Sequence, residues 1–385
     1  MTLRLTEEQS EIRALAREFS AREVRPFASE WDARRGLDPG VFAKLGELGF
    51  MGMRAPEDFG GLALDMVTYL LVLEELAWGD ASVALGVAIH AGPVTDLLMR
   101  YGTEAQKERY LSRMAAGEIL GAFALSEADA GSDAKSLATA WEWKGSERIL
   151  SGTKKWVTNG GLGGVVVVFA REGAEGRISA FLLDPKIHEF RIGKREVTMG
   201  MAASETVELD LDQVPLGEEA LLGEEGQGFR YAMEAMEIGR LGIAAQAIGI
   251  ARAAYEHARD YAKERVQFGR ALSEFQATRF KLAEMITRIT RVRGLTLSAA
   301  ALMEEGVDGG FPSPGALAAM AKLSASEGAV WTTDEAVQIF GGYGYMRDYP
   351  VERLLRDAKG TEIYEGTSEI MRLVIAREAL RETQA

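Results

Sequence analysis

The chain has 385 residues, of which 26% are charged and 47% hydrophobic, and its formal net charge is −14. That length supports two or three structural units with a sizeable core, while the acidic balance speaks against nucleic acid and anionic membrane surfaces, which both select a basic face. Cysteine is absent and the three histidines (His90, His188, His257) are widely separated, so disulfides, thiolate chemistry and a His-based metal site are not expected.

The N-terminal MTLRL carries no apolar leader, and Thr6-Glu7-Glu8-Gln9 reads as a capping box opening a helix. Ile12, Leu15, Ala16 and Phe19 follow at helical spacing, Pro26 and Gly60-Gly61 interrupt, and Asp65 to Trp78 reads as an amphipathic helix. Thr103-Glu104-Ala105-Gln106 is a second capping box. No uninterrupted apolar run of membrane-spanning length is apparent, and the cytoplasm is the expected location. Residues 1–120 are therefore expected to form an all-helical domain.

Near residue 121 the texture changes. Val165 to Phe169 is a short β-branched run, Ile178, Ala180 and Leu182 alternate with other residues, and so do Val207, Leu209 and Leu211. With glycine-rich turns between them, residues 121–227 read as a small β domain. Helical periodicity returns over 228–262, 274–305, 315–340 and 367–381. Four helices with short links suggest a bundle spanning 228–385, with Asp308 to Pro312 as a loop inside it. Helices, then strands, then helices without βαβ alternation argue against a doubly wound sheet. Gly161-Leu162-Gly163, Gly226-Gln227-Gly228 and Gly342-Tyr343-Gly344 lack the context of a dinucleotide fingerprint and read as turns.

Five stretches remain, each with a bland and a chemical reading. Ala122 to Asp133 (AFALSEADAGSD) is a polar interdomain turn, or a loop whose N–H groups and hydroxyls hold a flat heterocycle and a phosphate. Lys154 to Gly160 (KKWVTNG) is a strand with Trp156 in the core, or a wall for a redox ring with Trp156 and Thr158 on one face. Arg265 to Arg270 with Phe275-Gln276 is a charged helix end, or an arginine beside a glycine turn that grips a pyrophosphate. Gln338 to Tyr345 is a flexible interhelical loop, or a backbone that comes close to something flat. In TEIYEGTSEIMR, residues 361–372, Glu362, Glu365 and Glu369 form one solvated helix face, or Glu365 stands on a turn outside a helix capped by Thr367. Gly366 favours the turn, and the helix N-terminus could then hold a ligand's anionic group.

In this order and spacing, LSEADAGSD, KKWVTNGG, RVQFGRALSEFQ, QIFGGYGY and RDAKGTEIYEGTSEIMR resemble the acyl-CoA dehydrogenase family over nearly the whole chain. MEIGRLGIAAQAIGIA and AMAKLSASEGAVWTTDEAVQIFGGYGY are most similar to its short-chain, butyryl branch. The resemblance implies an N-terminal helical domain, a β-barrel-like middle domain and a C-terminal four-helix bundle. It also implies bound FAD, an acyl-CoA substrate, a homotetramer built as a dimer of dimers, and electron delivery to an electron-transfer flavoprotein.

Carried over by position, the resemblance has Phe123, Leu125, Ser126, Gly131 and Ser132 line the flavin, with Trp156 and Thr158 flanking the ring. Arg265, Gln267, Phe268, Phe275, Gln276, Gln338, Gly341 and Gly342 would reach the FAD of a neighbouring subunit, and Thr367 and Glu369 that of their own. Ser132, Glu237, Arg240 and Gly366 would meet the acyl-CoA. Glu365 matches the family's catalytic base, with burial raising its pKa and hydrogen bonds to the thioester oxygen stabilising the enolate. Some branches carry the base just before the arginine matched by Arg240; here that residue is Gly239, which points back to Glu365. Ala128 and Ala202 depart from the family pattern in the flavin loop and in MGMAASETVEL. The alternatives are an oxidase of the same fold that uses oxygen, a nitroalkane oxidase-like enzyme, which would carry Asp as its base, and a non-catalytic flavin-binding scaffold. Straight short acyl chains are the first expectation.

Overall fold

The computed structural model describes residues 4–38, 40–306 and 312–380. In the N-terminal section the helices are α1 (Glu7–Phe19), α2 (Ala28–Arg34), α3 (Gly40–Glu47), α4 (Met66–Gly79), α5 (Ala81–Ile89), α6 (Thr95–Tyr101) and α7 (Glu104–Ala115). Both capping boxes form: Thr6 and Thr103 accept from the third N–H of α1 and α7, and Gln9 and Gln106 reach back. One expectation changes. All fourteen residues of α4 are buried, so it is a central helix and not an amphipathic one. Its acidic pair survives burial by ion pairing across the molecule: Glu75 meets Arg252 at 2.8 Å and Arg17 at 3.1 Å, and Glu74 meets Arg293 at 2.8 Å and also Arg252.

A second change concerns apolar length. The helical run Ala81–Tyr101 is long and apolar enough to cross a bilayer, but 94% of its apolar window lies inside the fold. It is continuous through a π-helical turn, His90–Val94, that contains Pro93; the missing proline N–H accounts for the loosened hydrogen bonding there. His90 is fully buried and accepts from the Gly121 N–H at 2.9 Å, so its other ring nitrogen donates to the Met51 carbonyl at 3.1 Å. Burial lowers its pKa to about 4. The neutral ring thereby joins the helices to the first strand.

The middle section has β1 (Gly121–Ala124), β2 (Ala140–Lys144), β3 (Glu147–Thr158), β4 (Val165–Glu172), β5 (Ile178–Leu183), β6 (Arg191–Arg195), β7 (Thr206–Leu216) and β8 (Leu221–Leu222). They form one sheet in the order β6-β7-β3-β2-β4-β5-β8, with β1 parallel to β4. The alternation in β4 and β5 separates two cores. Val165, Val167, Phe169, Ala180 and Leu182 join the helical core, while Val166, Val168, Phe181 and Leu183 join a second core with Trp141 and β7. The sheet is therefore a layer against the helices, which is why β5 is buried on both faces.

The C-terminal section contains α8 (Gly228–Glu264), a small ribbon of β9 (Val266–Gln267) and β10 (Arg270–Ala271), then α9 (Gln276–Glu305), α10 (Pro314–Phe340), α11 (Pro350–Thr361) and α12 (Ser368–Ala379). Helix α8 is about 55 Å long; it packs on α10, α4 and α9, while α12 packs on α10. Helix α11 was not among the helices expected from periodicity. It is short and strongly charged, and it starts at Pro350, shortly after the glycine-rich turn Gly341–Tyr345. The expected loop at Asp308 to Pro312 lies, through Phe311, outside the described residues.

Candidate functional site

Between α11 and α12 the chain makes one tight turn. The Ile363 N–H donates to the Gly360 carbonyl at 2.9 Å and the Ser368 N–H to the Glu362 carbonyl at 3.0 Å. Glu365 has φ +55° and Gly366 φ +95°, two left-handed residues in succession, which for a glutamate costs about 1–2 kcal/mol. The turn is held from outside. The Tyr364 hydroxyl donates to Gln246 Oε1 at 2.7 Å, and the buried Gln246 donates in turn to the Ala81 carbonyl at 2.7 Å. On the other flank Lys322 Nζ donates to the Gly366 carbonyl at 2.6 Å. Thr367 caps α12 by accepting from the Ile370 N–H at 3.3 Å.

This conformation turns the Glu365 carboxylate inward. Its Oε2 is buried and has no hydrogen-bond partner among the described residues. It faces the side of α8 where Gly239 has no side chain; a Cβ there would lie 2.5 Å from Oε2. Burial pushes the Glu365 pKa up to about 7, against the opposing charges of Arg240 and Lys322. Arg240 is itself buried, with Nε unpartnered among the described residues. The Glu365 and Gly366 N–H groups also make no hydrogen bond among the described residues. A near-neutral carboxylate with a free lone pair, beside free N–H donors, can take a proton from a bound molecule and stabilise the anion left behind. The solvated-face reading of Glu362, Glu365 and Glu369 therefore fails: Glu362 is half-buried at the end of α11, Glu365 stands on the turn, and only Glu369 is exposed, in the first turn of α12.

Two of the other stretches meet along β3. The Lys155 N–H donates to the Ser126 carbonyl at 2.9 Å. Lys154, fully buried, donates to the Leu125 carbonyl at 3.0 Å and to Glu127 at 2.7 Å. Glu127 in turn accepts from the Ala138 and Thr139 N–H groups at 2.6 and 3.0 Å. Phe123 and Ser126 are half-buried and Leu125 buried, while Gly131 and Ser132 are exposed at the loop tip next to Ala128.

Trp156 is not a core residue. It has φ +56° at a β-bulge and is 53% exposed, with Val157 buried behind it and Thr158 half-buried. A left-handed, outward indole beside a braced loop of N–H groups suits a planar ligand. The loop holding Ala202 is buried, and Asp357 accepts from the Met201 N–H.

The remaining stretches converge elsewhere. Arg265, Gln267, Gly341 and Gly342 line one cleft of about 510 Å³ together with Tyr261, Phe340 and Tyr343. Cβ atoms at Gly341 and Gly342 would meet nothing within 4 Å. Arg265 lies over the Tyr343 ring, and Phe275 lies edge-on to Phe268, which is 95% exposed. Gln276 and Gln338 are exposed nearby in sequence. Gly239 and Tyr261 both belong to α8, so this cleft lies about 33 Å along the helix from the Glu365 carboxylate. Glu237 is half-buried one turn before Arg240, and burial raises its pKa.

Some site residues carry weak sequence signals. Lys322 is a lone cation in an alanine-rich helix and Lys154 a lone cation at an inward strand position; both are fully buried. Gln246 and Tyr69 read as ordinary helix positions. Tyr69 is buried, donates to the Ala88 carbonyl at 3.2 Å, and would be 2.6 Å from a Cβ at Gly92 and 3.2 Å from one at Gly242.

Three family models match the chain in sequence: acyl-CoA dehydrogenase N-terminal domain over residues 6–118, middle domain over 122–214 and C-terminal domain over 226–380. An acyl-CoA dehydrogenase of Bacillus subtilis is 44% identical over 97% of this chain and 98% of its own. The butyryl-CoA dehydrogenase structure from Megasphaera elsdenii superposes with a TM-score of 0.95 at 40% identity, covering 99% of this chain and 100% of that one. A solved chain from work on the electron transferring flavoprotein of Acidaminococcus fermentans gives a TM-score of 0.95 at 43% identity, covering 99% and 100%.

Proposed function

The chain belongs to the acyl-CoA dehydrogenase family of FAD-dependent oxidoreductases, and from that premise we propose that it converts a short-chain acyl-CoA to the trans-2-enoyl-CoA with Glu365 as base. The observation that carries the assignment of Glu365 is its buried, unpartnered Oε2 on a left-handed turn. Bound FAD supplies the acceptor for the β-hydride. Glu365 takes the α-proton, and its raised pKa makes it a stronger base than a solvated carboxylate. The free N–H of Glu365 is placed to donate to the thioester oxygen as charge develops there. Arg240 and Glu237 on α8, Gly366 on the turn and Ser132 at the loop tip border the path of the acyl-CoA.

Trp156 and Thr158 would hold one side of the flavin ring, and Phe123, Leu125, Ser126 and Gly131 its edge. The cleft at Arg265, Gln267, Gly341 and Gly342 suits the phosphate and adenine end of a dinucleotide, with arginine, amide and open glycine backbone. At about 33 Å from Glu365 along α8 it suits the cofactor of a second copy better than that of its own. This supports an assembly in which copies complete one another's sites, with a dimer of dimers as the proposed form. Likeness to a chain from work on an electron transferring flavoprotein supports that class of acceptor.

A short acyl chain is supported by Tyr69. Gly239 and Gly242 are neighbours on one face of α8, and the Tyr69 hydroxyl stands against Gly242 and Gly92. An acyl tail running from Glu365 along that face would be stopped there, which favours short chains such as butyryl over long ones. Anaerobic titration with butyryl-CoA tests the reading. The oxidised flavin band should bleach, and Glu365→Gln should lose at least 10²–10⁴-fold in bleaching rate. A yellow protein that no acyl-CoA bleaches refutes the substrate.

A further inference from the structure

We propose that Lys322 is a positioning residue for Glu365: from α10 it anchors the Gly366 carbonyl and sets a buried cation against the Glu365 carboxylate, fixing both its place and its basicity. The inference rests on Glu365 being the base, and it adds a residue on a different helix.

Three observations carry it. First, Lys322 is fully buried, and Nζ reaches the Gly366 carbonyl at 2.6 Å. Second, α10 grips the turn at two points. One turn along from Lys322, the Ser326 hydroxyl donates to the Thr361 carbonyl at 2.8 Å. Residues four apart share a helix face, so α10 brackets the segment from Thr361 to Gly366 and holds Glu365 between the two bonds. Third, a hydroxyl or amide would satisfy a single carbonyl as Ser326 does. A lysine buried among alanines costs far more to desolvate, and its extra charge has a use only toward another charge.

The charges around it are few. Glu365 faces it from the turn, Arg240 from α8, and Glu362 and Glu369 from the ends of the turn and α12. Glu365 additionally faces Arg240, which Glu237 also approaches, while Tyr69 and Tyr364 are neutral neighbours with raised pKa. Burial lowers the Lys322 pKa to about 8, opposed by Glu365, so the ammonium remains protonated near neutrality. When Glu365 gains the α-proton its own charge disappears. Lys322 and Arg240 then remain as cations around the neutral carboxyl, and both are already in place to offset negative charge that develops on a molecule bound there.

The test compares Lys322→Gln and Lys322→Met with wild type as FAD holoenzymes, following anaerobic bleaching by butyryl-CoA in single turnover across pH. Gln keeps a donor for the Gly366 carbonyl and loses the charge; Met loses both. Removing a nearby cation disfavours the carboxylate, so the acid limb of the rate should move up by about one pH unit in both variants. The plateau should fall about tenfold in Lys322→Gln and about a hundredfold in Lys322→Met, where the turn is also released. An acid limb unmoved in Lys322→Gln, at whatever plateau, overturns the proposal and leaves Lys322 as packing. Failure of both variants to fold or retain FAD also counts against it, since a neutral donor at this position should preserve a turn that Gln246 and Ser326 also hold. Glu365→Gln in the same series separates the layers: inert Glu365→Gln with an unmoved limb removes only the role of Lys322, whereas bleaching by Glu365→Gln at the wild-type rate removes the base assignment and this inference with it.

Discussion

Gly239→Ala is the smallest change that isolates the placement of Glu365 from its chemistry. The added Cβ would lie 2.5 Å from Oε2 and 2.8 Å from the carboxyl carbon, where ordinary contact begins near 3.4 Å. Helix α8 is held along its length by α4 and α10, so the carboxylate has to retreat, by about 1 Å. A misplacement of that size in a reacting group costs about 10² in rate, which is about 2.7 kcal/mol of activation free energy. Stability should move the other way or not at all, because alanine is favoured over glycine inside a helix by up to about 1 kcal/mol and the displaced atom is the end of a flexible side chain. The assay is single-turnover bleaching of the flavin by butyryl-CoA, paired with a thermal melt. The expected result is a roughly hundredfold slower rate in a protein that melts no lower than wild type. A rate within threefold of wild type would refute the argument that Oε2 must occupy this space. The same geometry explains why branches of this family can place the base on the helix position matched by Gly239: a side chain rising from there enters the space that Glu365 fills from the opposite side.

Three further outcomes are expected. Burial pushes the Glu365 carboxyl up to about 7 from its ordinary value of 4.5, so the unfolded chain loses this proton first and rising pH between those values favours unfolding; Glu365→Gln should therefore be the more stable protein above pH 7, by at most about 3 kcal/mol, with the gap closing toward pH 4.5 in paired urea titrations, and a gap independent of pH would show that the group is not buried as an anion. Lys154→Met leaves Glu127, within the Ala122–Asp133 loop, without its counter-charge and should cost about 3–5 kcal/mol together with loss of FAD on gel filtration, which Lys154→Met combined with Glu127→Gln partly restores; retention of FAD by the single variant would show that the loop does not depend on the pair. Tyr69→Ala should lower stability by about 3–5 kcal/mol and move the preferred acyl length above four carbons in a bleaching series, and an unchanged length profile would place the end of the pocket elsewhere.

How much of this was legible depended on whether the determining contacts were local. The off-helix position of Glu365 could be read from Gly366 and Thr367, because a left-handed glycine and an N-cap are written in residue type. The long helices α8, α9 and α10 followed from periodicity. Other features were set at a distance. Trp156 was read as part of a regular strand, but the bulge that turns it outward arises in the pairing of β3 with β7. Helix α4 looked amphipathic because Glu74 and Glu75 are charged, and only Arg17, Arg252 and Arg293, far along the chain, make their burial possible. Lys322 and Gln246 bond a main-chain carbonyl and a tyrosine hydroxyl far away in sequence, and no local pattern marks either partner. The cleft residues were recognisable as motifs, but their distance from Glu365 emerged only with the uninterrupted length of α8.

The electrostatic balance at Glu365 explains why the turn is built from these parts. Desolvation alone would hold the carboxyl protonated at neutral pH, and a protonated base is useless. A close ion pair would keep it ionised but tie up the lone pair and weaken its basicity. The chain avoids both extremes by placing two cations near the carboxylate without giving Oε2 a hydrogen bond: Lys322 spends a donor on the Gly366 carbonyl, and Arg240 keeps Nε unpartnered. Their attraction offsets part of the burial and leaves the pKa at about 7, where a general base is both available and strong. The strain of a left-handed glutamate is the cost of that placement, and the bonds from Gln246, Lys322 and Ser326 keep the turn from relaxing away from it.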